Sequence, residues 1–404
     1  MTDSRPSLPA LALRAWTVTT AAGTGRESLL EALHDRRGAL APCDFLDADL
    51  DTWIGRVPDL ESVSLPASLA DYDCRNNRLA EMSLQQDGFL DAVAAAVQRH
   101  GAGRVGVVIG TSTSGILHTE LAFRERDADT GALPEPLHYV TTHELSSAPR
   151  YLRERLGLGG PMYAISTACS SSGKVFASAQ RLIAADVCDA VVVGGVDSLC
   201  LTTLYGFASL ELTAAGPCRP GDVERDGIAI GEGAGLALVE ADAGDGEVCV
   251  MGVGESVDAH HMSSPHPQGA GAELAMRRAL AAAGVAAPSV DYVNLHGTAS
   301  RVNDAAEDHA LESVFGPGQV CSSTKGLTGH TLGAAGITGL AVGVLAIEHG
   351  FLPGTLNTER VDPAFRADYL LANRVAPARR VLANSFGFGG NNCSLLIGRP
   401  GGET

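Results

Sequence analysis

Residues 161–185 read PMYAISTACSSSGKVFASAQRLIAA, and the fold turns on how this stretch is divided. Residues 161–167 are an apolar run of strand length, and 170–185 place apolar residues at helical spacing in an Ala-rich segment. Between them, Ser166-Thr167-Ala168-Cys169-Ser170-Ser171-Ser172-Gly173 is a turn of small residues. A strand running straight into a helix is the repeating unit of an α/β protein. Cys169 then falls at the first helical turn, where unpaired N–H groups and the helix dipole are expected to lower a thiol pKa from about 8.5. Tight packing of small residues also presents the sulfur at the strand end, as in other nucleophile elbows. A cysteine chosen at random is more often a buried small hydrophobe, but the turn context reverses that expectation.

The same pattern extends outward. Strands are expected at 104–110, 161–167, 190–196, 236–240, 291–295 and 393–398, and helices at 77–99, 170–185, 272–283, 304–315 and 334–349. A short polar segment, 241–246, divides the chain into portions 1–245 and 246–404. Each portion has a strand that runs into a reactive residue and then a helix, Cys169 in the first and His296 in the second, which points to an internal duplication. The polar, Pro-containing stretch 120–144 is weakly periodic and reads as a cap or interface excursion.

Composition narrows the function. The chain has 404 residues, 45% hydrophobic and 19% charged, enough for two or three structural units or one large duplicated one. Its 47 acidic residues against 29 basic ones leave a formal charge of −18, so nucleic acid is not an expected partner. Met1 to Pro6 lack the basic and apolar regions of a signal peptide, and a cytoplasmic location is expected. The apolar run 332–347 is shorter than the roughly 20 residues a spanning helix needs, so it reads as a core helix and no membrane association is expected. Nine cysteines with no CxxC pair indicate neither a disulfide framework nor a zinc ribbon.

Three further segments carry chemistry. Asn294-Leu295-His296-Gly297-Thr298-Ala299 and Ser323-Thr324-Lys325-Gly326-Leu327-Thr328-Gly329-His330 each embed a histidine in Gly and Thr after a strand. Two neutral imidazoles can donate to one developing oxyanion while a nearby lysine sets the field. In Asn384-Ser385-Phe386-Gly387-Phe388-Gly389-Gly390-Asn391-Asn392, glycines let the backbone approach a substrate and point an N–H inward. Gly231-Glu232-Gly233-Ala234-Gly235 leads into a strand and has the wrong spacing for a dinucleotide loop. His260 and His261 lack a third ligand at metal spacing, so no metal is expected.

Together these segments resemble the β-ketoacyl-acyl-carrier-protein synthases, the decarboxylating condensing enzymes with a Cys-His-His triad. The order Cys169, His296, Lys325, His330 and the Gly-Phe-Gly-Gly loop match that family, and the likeness extends over nearly the whole chain, including Pro217-Cys218-Arg219-Pro220 and Glu224-Arg225-Asp226-Gly227. The loop departs from the usual Gly-Gly-Thr-Asn in reading Gly-Gly-Asn391-Asn392, and Ala299 follows the retained Thr298.

The resemblance implies a thiolase-like duplicated α/β fold, layered α-β-α-β-α with mixed five-stranded sheets, usually as a homodimer. It implies that Cys169 takes an acyl group from acyl carrier protein, with the N–H groups of Cys169 and Phe388 as the oxyanion hole. His296 and His330 stabilise the enolate formed from malonyl-carrier protein, and Lys325, paired with Glu307, is structural and electrostatic. Thr298 and Asp304 support the site, and Phe388 and Phe386 gate it. No metal or organic cofactor is implied. Fatty-acid chain elongation is the leading expectation. The alternative is a pathway-specific ketosynthase of aryl-polyene or polyketide type, working as a heterodimer with a chain-length-factor paralogue. Leu204, Phe207, Thr111 and Ser112 are expected to line the acyl tunnel. Acyl carrier proteins are acidic, so an acidic enzyme needs a local cationic patch; Arg75 and Arg78 are expected to provide it.

Overall fold

A computed structural model describes residues 8–400 except Pro136, Asp242 and Asp245. The six N-terminal residues read above, part of the segment 241–246 and one residue of 120–144 therefore lie outside the described residues. Ten strands form the frame: β1 Leu11–Thr20, β2 Val105–Gly110, β3 Met162–Ile165, β4 Ala190–Asp197, β5 Gly233–Glu240, β6 Cys249–Val257, β7 Tyr292–Asn294, β8 Val320–Ser322, β9 Arg380–Gly387 and β10 Asn391–Gly398. Among the helices around them are α1 Arg75–Leu84, α2 Phe89–His100, α3 Ser171–Ala184, α4 Ala270–Ala283, α5 Arg301–Phe315 and α6 Ala335–His349.

The first five strands lie in the order β3-β2-β4-β5-β1 and the next five in the order β8-β7-β9-β10-β6, the same order shifted by five. In each set the first two neighbour pairs are parallel and the last two antiparallel. The repeat that residue identity leaves faint is explicit in the topology.

The two sets are not separate five-stranded sheets. β1 runs past the end of β5, and its first residues pair with β6 through Leu11↔Val250 and Ala12↔Cys249. Asp368–Tyr369 adds a parallel pair beside β8, and Gly23–Thr24 folds back on β1. One continuous twelve-stranded sheet results. Joining β1 to β6 satisfies backbone groups that two open edges would leave bare.

β2, β4 and β5 are buried along their whole lengths, as β-branched and small runs covered on both faces should be. α1 and α2 cover the outer face of the first set, and α4 lies on β6 and β10 outside the second. Between the two sets lie α3 and α6, each packed against strands of both, so the layers alternate α-β-α-β-α. The two central helices meet at their N-termini, where a Cβ on Gly336 would lie 2.3 Å from the Gly173 nitrogen. The apolar run 332–347 is this central helix. Leu332–His349 is long and apolar enough to cross a membrane, but 89% of its apolar window is buried in the fold.

The helix expected at 77–99 is two helices. Asp87 (φ 57°) and Gly88 (φ 70°) are both left-handed and turn the chain between α1 and α2, and the Asp87 carboxylate receives the Arg26 N–H at 3.1 Å.

Candidate active site

The site forms where the segments leaving the two sets of strands meet at the N-termini of α3 and α6. Cys169 leaves β3 through Ala168, a non-glycine residue at φ 50°, and is 6% exposed. Each serine after it fastens the elbow. Ser170 Oγ donates to the Thr167 carbonyl at 2.8 Å, Ser171 Oγ accepts the Thr167 N–H at 2.9 Å, and Ser172 Oγ accepts the N–H of Ile337 on α6 at 3.0 Å. The strain at Ala168 is thus over-determined by its surroundings.

Cys169, His296 and His330 lie with their ligand-type atoms within 4.8 Å of one another. His330 Nε2 is 3.0 Å from the Cys169 sulfur. Its Nδ1 accepts the Leu332 N–H at 3.3 Å, which in a neutral ring leaves the proton on Nε2, facing the sulfur. The His296 and His330 rings stand edge to face, 5.1 Å apart. Burial, with Lys325 nearby, holds both imidazoles well below their usual pKa, so both are neutral donors near pH 7.

Burial also pushes the Cys169 thiol up to about 12, although Lys325 and the N–H groups of Cys169 and Phe388 oppose it. This reverses the expected thiolate: removing the sulfur from water outweighs the helix terminus. The same two N–H groups are near enough to the sulfur to favour its charged form.

Lys325 does not form the expected pair with Glu307. Its Nζ donates to the carbonyl oxygen of His296, while Glu307 accepts the N–H of His296 and of Gly297, each at 2.8 Å. Burial raises Glu307 to about 7 and lowers Lys325 from its ordinary value. Asn384 Nδ2 donates to Glu307 at 3.1 Å. Asp304 holds the loop by accepting the N–H of Thr298 at 3.0 Å and of Gly221 at 2.9 Å.

Two cavities meet at Cys169. One, of about 230 Å³, runs past His296, His330 and Thr298 to Asp258, Ser263 and Arg301. The other, of about 300 Å³, is lined by Ser112, Thr202, Phe207, Leu210 and Leu332. Phe388 borders both, and its ring stacks on Phe207 at 5.4 Å. Ser112 and Phe207 take their expected places, whereas Thr111 and Leu204 are fully buried behind the lining.

Phe386 belongs to β9, paired with Asn392, so the ladder fixes it against the His296 ring and it is no gate. Phe388 lies beyond the ladder, on the turn made by Gly389 and Gly390. The docking assignment of Arg75 is overturned: its side chain is 9% exposed and makes two hydrogen bonds to Glu232, which is fully buried. Arg78 is held by both carboxylate oxygens of Asp73. A residue the sequence did not single out is Asp197. Its buried carboxylate accepts N–H groups from Ser112, Thr113 and Gly333, tying the cavity wall to the segment after His330. The available signal was an acid closing the otherwise apolar run 190–196.

Residues 65–243 match the family described as "Beta-ketoacyl synthase, N-terminal domain" and residues 248–359 its C-terminal domain. Nodulation protein E of Rhizobium meliloti (strain 1021) is 33% identical over 93% of this chain and 95% of its own length. The chain belongs to the β-ketoacyl synthase family. This synthase is a condensing enzyme, an acyltransferase of the 3-oxoacyl-[acyl-carrier-protein] synthase type that elongates acyl chains through an active-site cysteine in a Cys-His-His triad. The 3-oxoacyl-[acyl-carrier-protein] synthase 2 of Vibrio cholerae is 31% identical over 81% of the synthase and 86% of that protein. A ketosynthase (ApeO) from Xenorhabdus doucetiae, solved in complex with its chain length factor (ApeC), superposes with a TM-score of 0.87 at 34% identity, covering 98% of the synthase and 99% of that chain.

Proposed function

We propose that the synthase is the catalytic subunit of a pathway-specific ketosynthase of aryl-polyene or polyketide type, paired with a chain-length-factor paralogue. The observation that carries this reading is the opening of the cavity lined by Phe207 and Leu210. Thr202, exposed, lines both that cavity and the surface groove beside Phe123 and Tyr205. In the groove Phe123 and Tyr205 are 52% and 43% exposed, and Tyr139, stacked on the lining residue His143, is 48% exposed. Clustered exposed apolar side chains mark an interaction face. A partner seated there would close the cavity and set its depth, and with it the chain length. The likeness to a ketosynthase solved with its chain length factor supports the same reading.

The residues take these roles. The Cys169 sulfur attacks the thioester of an acyl-carrier protein; the new S–C bond replaces the bond to the pantetheine sulfur, and the thiol proton passes to that departing sulfur. The N–H groups of Cys169 and Phe388 hold the oxyanion, each worth roughly 3 kcal/mol when such a donor is removed elsewhere. Malonyl-carrier protein then loses carbon dioxide, and the ring N–H groups of His296 and His330 hold the enolate oxygen. The enolate carbon bonds to the acyl carbonyl, the S–C bond to Cys169 breaks, and the thiolate takes a proton from water. Two half-reactions on one cysteine give ping-pong kinetics. Lys325, Glu307, Thr298 and Asp304 position the histidines, and Phe388 is the gate. The portions 1–245 and 246–404 are assigned as the two halves on the repeated strand order.

The test is mass spectrometry of the synthase and of Cys169→Ala after incubation with a panel of acyl-carrier proteins, with and without the paralogous chain. An adduct on Cys169 that needs the paralogue, or changes its accepted chain length with it, supports the proposal. Full elongation of saturated acyl chains by the synthase alone favours the fatty-acid reading, with which the 31% likeness to the Vibrio cholerae enzyme agrees.

A further inference from the structure

Beneath the glycine loop lies a buried cation that the chemistry above does not use. Lys174, five residues after Cys169 on α3, is 8% exposed, and its Nζ donates to Oδ1 of Asn391 at 3.0 Å. Taking an ammonium out of water is costly unless its donors are met, and a Met of similar length would avoid that cost. The contact therefore calls for a role.

Its acceptor is the residue that ends the loop. Asn391 follows Gly390, and its Nδ2 lies 3.3 Å from the point where a Cβ on Gly389 would stand. The carboxamide thus reaches from Lys174 on one side to Gly389 on the other. Gly389 (φ 75°) and Gly390 (φ 72°) are consecutive left-handed residues, and their turn fixes where the preceding Phe388 N–H points. That N–H is near enough to the Cys169 sulfur to oppose the rise of its thiol pKa. Other tethers of the loop are Gly389 N–H to the Met262 carbonyl at 2.7 Å and Asp258 N–H to the Gly390 carbonyl at 2.9 Å, both from the segment after β6, and Asn392 Nδ2 to the same Gly390 carbonyl at 3.0 Å. Lys174 instead reaches it from the helix that begins at the nucleophile. Asn391 stands where the family usually has threonine, whose shorter side chain does not carry an acceptor as far toward Lys174.

We propose that Lys174, acting through Asn391, is a positioning residue that holds the Phe388 N–H in register with the Cys169 sulfur during acyl transfer. The proposal rests on the roles given above to Cys169 and Phe388. It separates the two half-reactions, because acylation uses the Phe388 N–H whereas malonyl decarboxylation uses His296 and His330.

The test compares Lys174→Met with the unaltered synthase, supplied with its paralogue if acylation requires it. Two rates are measured: single-turnover acylation of Cys169 and decarboxylation of malonyl-carrier protein. Acylation is expected to fall at least tenfold at unchanged KM for the acyl carrier, with decarboxylation within twofold. Equal loss of both rates, loss of decarboxylation alone, or no loss of acylation overturns the proposal. The contact is also tested from its other side, which serves if Lys174→Met does not fold. Asn391→Asp keeps an acceptor for Lys174 and is expected to acylate normally, whereas Asn391→Leu is expected to match the lysine variant. Failure of the unaltered synthase to form any adduct is a different result, and it counts against the proposed function itself.

Discussion

Lys325 and Glu307 hold one peptide group from opposite sides. The Lys325 ammonium donates to the carbonyl oxygen between His296 and Gly297, and the Glu307 carboxylate accepts the N–H of the same peptide at 2.8 Å. Two buried charges are thereby linked through a peptide dipole rather than by direct contact, and the backbone bearing the His296 ring is fixed. Both charges serve an imidazole that neither touches through its ring.

Glu307→Gln tests this arrangement. A carboxamide has one acceptor oxygen, so one of the two N–H groups of His296 and Gly297 must lose its partner, and an unsatisfied buried donor costs about 1–3 kcal/mol. Malonyl decarboxylation is expected to fall by about two orders of magnitude, with acylation of Cys169 affected much less. A pH signature accompanies it. Glu307 is raised from 4.5 to about 7, so between those values the native state keeps a proton that the unfolded chain has released. Its stabilising contribution is full below about pH 4.5 and lost by about pH 7. Urea unfolding from pH 4.5 to 7.5 is expected to show less loss of stability with rising pH in Glu307→Gln than in the unaltered protein.

The Cys169 thiol gives a second prediction. With its pKa pushed up to about 12 by burial, the sulfur is protonated at neutral pH and its thiolate fraction rises tenfold per pH unit through pH 10. Alkylation of Cys169 by iodoacetamide, followed by peptide mass spectrometry, is expected to climb over pH 7–10 without a plateau. A plateau near pH 8 would show instead that the helix terminus and Lys325 prevail over desolvation.

These outcomes bear on what the sequence could show. The elbow, both histidines, Lys325 and the glycine loop were legible because each is a run of small residues around a reactive or backbone-exposing position, a pattern that needs no tertiary information, although β1 and β9 were not read as strands. The Lys325–Glu307 geometry was not, since it depends on which peptide lies between the two charges. β6 was missed because Gly252 and Gly254 stand where apolar side chains would mark the period. β8 was missed because it is only three residues long. The Cys169 pKa was misjudged for a related reason: the local sequence displays the helix terminus, but the depth of burial is set by α6 and the loop at Phe388, more than 150 residues away.

Arg75 shows the same limit at the level of a single cation, and its substitution separates a structural from a docking role. Arg75→Ala strands the fully buried Glu232 carboxylate, which also receives the N–H groups of Val57 and Leu199 at 2.9 Å. Breaking a buried pair from one side costs about 3–5 kcal/mol, so a large loss of stability is expected in denaturant unfolding. The double variant Arg75→Met, Glu232→Gln leaves no uncompensated charge and is expected to recover much of that loss. Its KM for malonyl-carrier protein is expected to be unchanged, whereas a docking arginine would raise it.

The exposed face of helices Ile116–Arg124 and Leu201–Ser209 provides the last prediction. Phe123 and Tyr205 are 52% and 43% exposed there and line one groove, so a glutamate at each position removes apolar area without touching the core. In the proposed pairing those side chains are buried by the paralogue, and two carboxylates placed in an apolar contact must be desolvated. Phe123→Glu with Tyr205→Glu is expected to abolish co-purification with the paralogous chain while leaving the thermal unfolding midpoint of the isolated synthase within a few degrees. Acylation of Cys169 would then distinguish two contributions of the partner. If the partner only sets the depth of the cavity, the unpaired variant still forms an adduct but no longer selects among chain lengths. If it also orders the cavity wall at Thr202 and Leu210, the adduct is lost with it.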